Sequence, residues 1–180
     1  MHRWIVTALG KDQPGIVAGV TGVLYKLGCN LEDSAMTRLE GEFAIMLIFS
    51  GPSKMTQEKL GKAFQGLEHR LKLAIHLKPL TAQETRKPRP RGKNYLFSVY
   101  GADRPGIVCK VSEALARTGI NITDVHTHRS VGGTPSLYLM LLEVEVPAHL
   151  GIASLERQLK QLATRLGVEV SVRPSEAAIL

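Results

Sequence analysis

The chain has 180 residues, 44% of them hydrophobic, and a formal net charge of +7, the profile of an ordinary soluble globular protein. No segment approaches the roughly 18 continuous apolar residues of a membrane-spanning helix, and the apolar stretch near the start is too short for a signal peptide, so a cytoplasmic protein is expected. Arg86, Lys87, Arg89, Arg91 and Lys93 fall in one stretch without an acid, and taking these five from +7 leaves +2, so the basicity belongs to one segment and not to a folded face.

In chain order, residues 4–9 read as a short apolar strand ending at Gly10. Ile16, Val17, Val20, Leu24 and Leu27 then recur at three- and four-residue spacing, the apolar stripe of a helix, and Gly28 stops it. Residues 30–39 and 43–50 form two strands joined at Glu40-Gly41; Leu60, Phe64, Leu67 and Leu71 mark a second helix, and 73–77 a last strand. Residues 81–94, TAQETRKPRPRGKN, place Pro88 and Pro90 among arginines with nothing apolar to bury, as expected of a solvated linker.

The same order then returns. Residues 95–100 are a strand, and Ile107, Val108, Val111 and Leu115 stripe a helix that stops at Gly119. Residues 121–130 and 135–146 form a hairpin across Gly132-Gly133; Ile152, Leu155, Leu159, Leu162 and Leu166 mark a helix, and 168–173 a strand. Strand-helix-strand-strand-helix-strand, twice, predicts two α+β domains of ferredoxin-like βαββαβ form over 1–80 and 95–175, with a short tail at 176–180. Each would be a four-stranded antiparallel sheet with two helices on one face. The uncovered face and the free strand edge of each sheet favour pairing, and a homodimer is expected.

The two halves are also alike residue by residue. GKDQPGIV at 10–17 and GADRPGIV at 101–108 share six of eight residues at an offset of 91, and the register continues through Val20/Val111, Leu24/Leu115, Gly28/Gly119, Asn30/Asn121 and Asp33/Asp124. An internal duplication accounts for this. Cys29 aligns with Ile120 and Cys109 with Ala18, so neither cysteine belongs to the duplicated design, and both read as reduced core residues.

The loop before the first helix of each half is the strictest part of the repeat. Gly10 and Gly101 permit a turn that a Cβ would obstruct. Asp12 and Asp103 stand where a carboxylate accepts hydrogen bonds from free helical N–H groups, and Pro14 and Pro105 suit a first helical turn. Gly15 and Gly106 leave bare backbone at the helix start, open to a carboxylate or phosphate; a capped turn without ligand would use the same residues. Asn30 and Asn121 open the second strand of each half, either to hold a left-handed backbone or to offer an amide that donates to a carboxylate and accepts from an ammonium.

Strand, G-x-D-x-P-G-I-V, apolar helix, G-x-N and strand together resemble the ACT domain, a small-molecule regulatory module, over roughly 3–79 and 94–174. Two such domains and nothing else resemble the group of glycine cleavage system transcriptional repressors. The resemblance implies a non-enzymatic regulator that binds an amino acid such as glycine between ACT domains and acts through a protein partner such as a transcription factor. It also implies the contacts: Gly10, Asp12, Gly15, Gly101, Asp103 and Gly106 from the loops, with Asn30 and Asn121 from the strand of a neighbouring domain.

Other chemistries find less support. The formyltetrahydrofolate deformylase resembles this chain at D-R-P-G-I-V, but its transferase domain has no counterpart here. Gly15 and Gly106 are followed by Ile-Val and not by the Lys-Ser/Thr of a phosphate-binding loop, and G-x-S-x-G and H-E-x-x-H do not occur. His126 and His128 share one face of a strand, yet two ligands do not complete a metal site, so no metal and no cofactor are expected. Direct nucleic-acid binding through the basic linker is the alternative reading, weakened by the absence of an aromatic residue there to stack on bases.

Overall fold

The computed structural model describes residues 2–81, 84, 92–130 and 136–175. The chain divides into two compact units, Met1–Lys87 and Pro88–Leu180. The first runs β1 (His2–Lys11), α1 (Ile16–Lys26), β2 (Asn30–Leu39), β3 (Glu42–Gly51), α2 (Gln57–Leu71) and β4 (Ala74–Leu80). The second repeats it as β5 (Gly92–Ala102), α3 (Ile107–Arg117), β6 (Asn121–Arg129), β7 (Leu137–Pro147), α4 (Ile152–Leu166) and β8 (Val168–Pro174). The antiparallel sheets have the orders β2-β3-β1-β4 and β6-β7-β5-β8, so the expected fold is the observed one.

Alternation builds each sheet. In β1, Trp4, Val6 and Ala8 point to one side and join Ile45, Leu47 and Phe49 of β3 in a core closed by Val20 and Leu24 of α1 and by Leu60, Phe64 and Leu67 of α2. The second core does the same with Phe97, Val99, Met140, Leu142, Leu115 and Leu159. Phe49, Phe64 and Phe97 are fully buried, and burying a side chain of that size stabilises by roughly 1.5–3 kcal/mol. On the face away from α1 and α2, Ile5, Thr7 and Leu9 of β1 stand beside Ile48, Met46 and Ala44 of β3.

β2 and β6 each form one edge of their sheets, with β4 and β8 at the other, and every residue of β2 is exposed. Both carry an irregularity at the same place, between Leu31 and Asp33 and between Ile122 and Asp124, so the duplication preserved a bulge as well as residues. β5 begins at Gly92, ahead of the expected residue 95, because Lys93 and Asn94 still find ladder partners in Val146 and Glu145. Of the basic linker residues, Arg86, Lys87, Arg89 and Arg91 lie outside the described residues, as does the Gly132-Gly133 turn.

Candidate functional site

Three anchors hold the loop between β1 and α1. The Asp12 N–H donates to Gly41 O at 2.9 Å, tying the loop to the β2–β3 turn, and Gln13 Nε2 donates to Leu71 O at 2.9 Å at the end of α2. Arg38, near the end of β2, approaches Asp12 Oδ2 with its Nη1 at 3.5 Å. The second unit copies two of these: the Asp103 N–H donates to Ser136 O at 2.8 Å, and Arg129 Nη1 lies 3.8 Å from Asp103 Oδ2. Arg129 stands at the offset of 91 from Arg38, so the ion pair was duplicated with the loop.

Several expectations for this loop change. Gly10 and Gly101 are required by close approach and not by a turn: a Cβ on Gly10 would lie 3.0 Å from Lys72 O, and one on Gly101 2.9 Å from Val168 Cα. The carboxylates of Asp12 and Asp103 do not cap the helices, since no side chain does so and the arginines hold them instead. Pro14 and Pro105 precede the helices rather than opening them, because Gly15 and Gly106 are the capping residues. Those glycines adopt φ values of 96° and 94°, a region that side chains disfavour. With no acid in the first turn of α1 or α3 either, the leading N–H groups of both helices have no side-chain acceptor among the described residues.

Gly10, Asp12 and Gly15 therefore come together in one loop, as do Gly101, Asp103 and Gly106. Asn30 and Asn121 do not join them. Each is exposed at the start of its strand, paired with Ser50 and Glu145 respectively. The helix between loop and Asn has 11 residues in both units, and at 1.5 Å per residue it separates them by about 16 Å. A single unit thus places the loop residues and the Asn at opposite ends of one helix.

At the Asn30 end the first unit opens a groove of about 540 Å³, lined by Ala18, Thr21, Gly22, Tyr25, Asn30 and Leu31 among others. Gly22 borders it without a side chain, and a Cβ there would meet nothing within 4 Å. The second unit has Glu113 at that position, and its carboxylate takes hydrogen bonds from Lys110 Nζ at 3.2 Å and Cys109 Sγ at 3.4 Å. These contacts, Lys110 first, hold Glu113 below the usual carboxylate range. Cys109 is thus an exposed residue and not a core one; Cys29 is half-buried against the first core, where burial pushes its thiol up. Sequence reading missed the Gly22/Glu113 contrast, although the offset of 91 contains it.

Residues 2–78 and 94–173 each match the model of the ACT domain. The chain belongs to the ACT domain family. A glycine cleavage system transcriptional repressor of Escherichia coli is 28% identical over 174 residues, covering 95% of this chain and 89% of the relative. A UPF0237 protein of Streptococcus pneumoniae is 36% identical over 73 residues, 41% of this chain and 83% of the relative, about the length of one ACT domain. A solved structure of an unknown protein from Galdieria sulphuraria superposes with a TM-score of 0.78 at 26% identity, covering 97% of this chain and 98% of that one.

Proposed function

We propose that this tandem ACT protein is a non-enzymatic regulator that binds an amino acid, glycine foremost, and transmits its occupancy to a protein partner such as a transcription factor. The observation that carries this reading is the pair of uncapped helix starts at Gly15 and Gly106, built alike in both domains. Free N–H groups at a helix N-terminus favour a carboxylate, and Asn30 or Asn121 of another ACT domain supplies the amide for the rest of the ligand. The relation to the E. coli repressor supports regulation of transcription and directs attention to glycine.

Regulation then follows as a coupling free energy. A ligand held by the loop of one domain and the strand start of another favours one arrangement of the two, and a partner that binds that arrangement senses it. The test is thermal unfolding of the whole chain against the twenty amino acids. A ligand at about 100 times its dissociation constant adds roughly 2.7 kcal/mol, a rise of roughly 5–10 °C for a protein of this size. The rise is selective and is lost on Asn30→Ala or Asn121→Ala. If no amino acid moves the transition, the ligand-sensing reading is wrong.

A further inference from the structure

The groove beside α1 in the first ACT domain differs in chemistry from the same place in the second. Leu24 is buried in the core, Tyr25 and Leu31 are 83% and 40% exposed, and all three line the groove with Thr21 and Asn30. No Asp, Glu, Lys or Arg is among the described lining residues. At the offset of 91 the second domain has Glu113 for Gly22 and Ala116 for Tyr25, so an anionic side chain stands where the first domain has none, and the aromatic wall is missing.

Asn30 is the residue that the amino-acid reading gives to the ligand, and it lines this groove. A ligand that meets Asn30 with its polar end therefore has a neutral and largely apolar surface next to it. Resting on that reading, we propose that the groove between α1 and the start of β2 receives the side chain of the bound amino acid. The Asn30 site then takes uncharged amino acids with an apolar side chain, and the Asn121 site, with Glu113 at the equivalent point of α3, takes glycine.

The volume of about 540 Å³ falls in the range of ligand sites, roughly 300–1,000 Å³, and leucine or methionine fits within it. An acidic or basic side chain would lose water there without gaining a counter-charge, which disfavours it. An apolar side chain gains by burial, up to about fourfold in affinity for each methylene removed from water. Glycine has nothing to place in the groove, and the loop and the Asn amide suffice to hold it. Asn30 and Asn121 thus serve two ligand sizes from one duplicated frame.

Calorimetric titration of the full chain with glycine, alanine, valine and leucine tests the assignment. Affinity is expected to rise along the series, by up to about fourfold per buried methylene, while aspartate and lysine bind no tighter than glycine. Gly22→Leu sets a side chain on the border of the groove, where a Cβ meets nothing within 4 Å, and Tyr25→Ser removes an exposed wall; in both, leucine binds only as tightly as glycine. Gly66→Leu, at an exposed glycine of α2 with the same room for a Cβ, keeps the rise. Glycine bound without any rise toward leucine overturns the groove assignment alone, and so does a rise that both groove variants retain. If glycine and the rest of the series all go unbound, the amino-acid reading fails and the groove assignment fails with it.

Discussion

Beside α1 of the first ACT domain a groove is bordered by Gly22, which has no side chain, whereas Glu113 stands at the same point of α3 and is tied to Lys110 and Cys109. Above the loops the two domains differ hardly at all: Gly15 and Gly106 share one backbone conformation, and each aspartate meets an arginine 26 residues further on. Duplication therefore left constrained positions in place and let exposed faces drift. A glycine with positive φ, or a strand end pressed against another backbone, allows no alternative. An outward helix position allows many, and there the two copies acquired different surfaces.

The largest effect should come from separating the two cores. Trp4 is the single tryptophan and belongs to the first core, not to the second cluster. Phe64→Ala should cost roughly 3–5 kcal/mol and lower the Trp4 fluorescence transition in denaturant. Phe97→Ala should cost as much by far-UV circular dichroism while leaving the Trp4 transition nearly in place. Equal displacement of the Trp4 signal by both variants would mean that the units unfold as one.

Next come the helix starts. A Cβ on Gly15 or Gly106 meets nothing within 4 Å, so Gly→Ala tests backbone conformation without a clash. Each should lose roughly 1–2 kcal/mol, the cost of a left-handed backbone at a side-chain-bearing residue, and the two losses should match because φ is 96° and 94°. A difference above about 0.5 kcal/mol in urea unfolding would show that the loops have diverged after all.

Gly22→Ala acts in the other direction. In a helix interior glycine costs about 1 kcal/mol relative to alanine, and with space around it the substitution should raise stability by up to that amount. Gly22→Glu converts the groove to the form of the second domain. If the groove contributes to the amino-acid site, this variant stays folded and loses the ligand-induced thermal shift; if the shift survives, ligand is held by the loop alone.

Much of this was legible in the sequence, and the misses have a common cause. Apolar spacing located all four helices and all eight strands, because each signal lies within one element and the core reads it directly. The loop glycines were found through the repeat, but their reasons were assigned too locally. Gly10 is fixed by Lys72 and Leu73, residues some sixty places away, and Asp12 is claimed by Arg38 across a hairpin. Asn30 was assigned to the site of a neighbouring domain, and within its own unit it stands at the far end of the 11-residue α1 from the loop.

The smallest effect concerns the duplicated ion pairs. Side-chain exposures of 71% and 36% for Arg38 and Asp12, and of 65% and 33% for Arg129 and Asp103, leave both pairs open to solvent. Exposed pairs contribute about 0.2–1 kcal/mol, less as salt rises. Double-mutant cycles with Arg38→Gln and Asp12→Asn, and with Arg129→Gln and Asp103→Asn, should therefore give small and similar couplings that shrink in high salt. So little stability does not by itself explain two copies of the same pair. The arginine does engage a carboxylate that stands beside the helix start, where a free carboxylate would compete with a ligand for the N–H groups. Arg38→Gln should then weaken the amino-acid thermal shift by more than its own effect on stability. A shift that falls only in proportion to stability would reduce the pair to a surface contact.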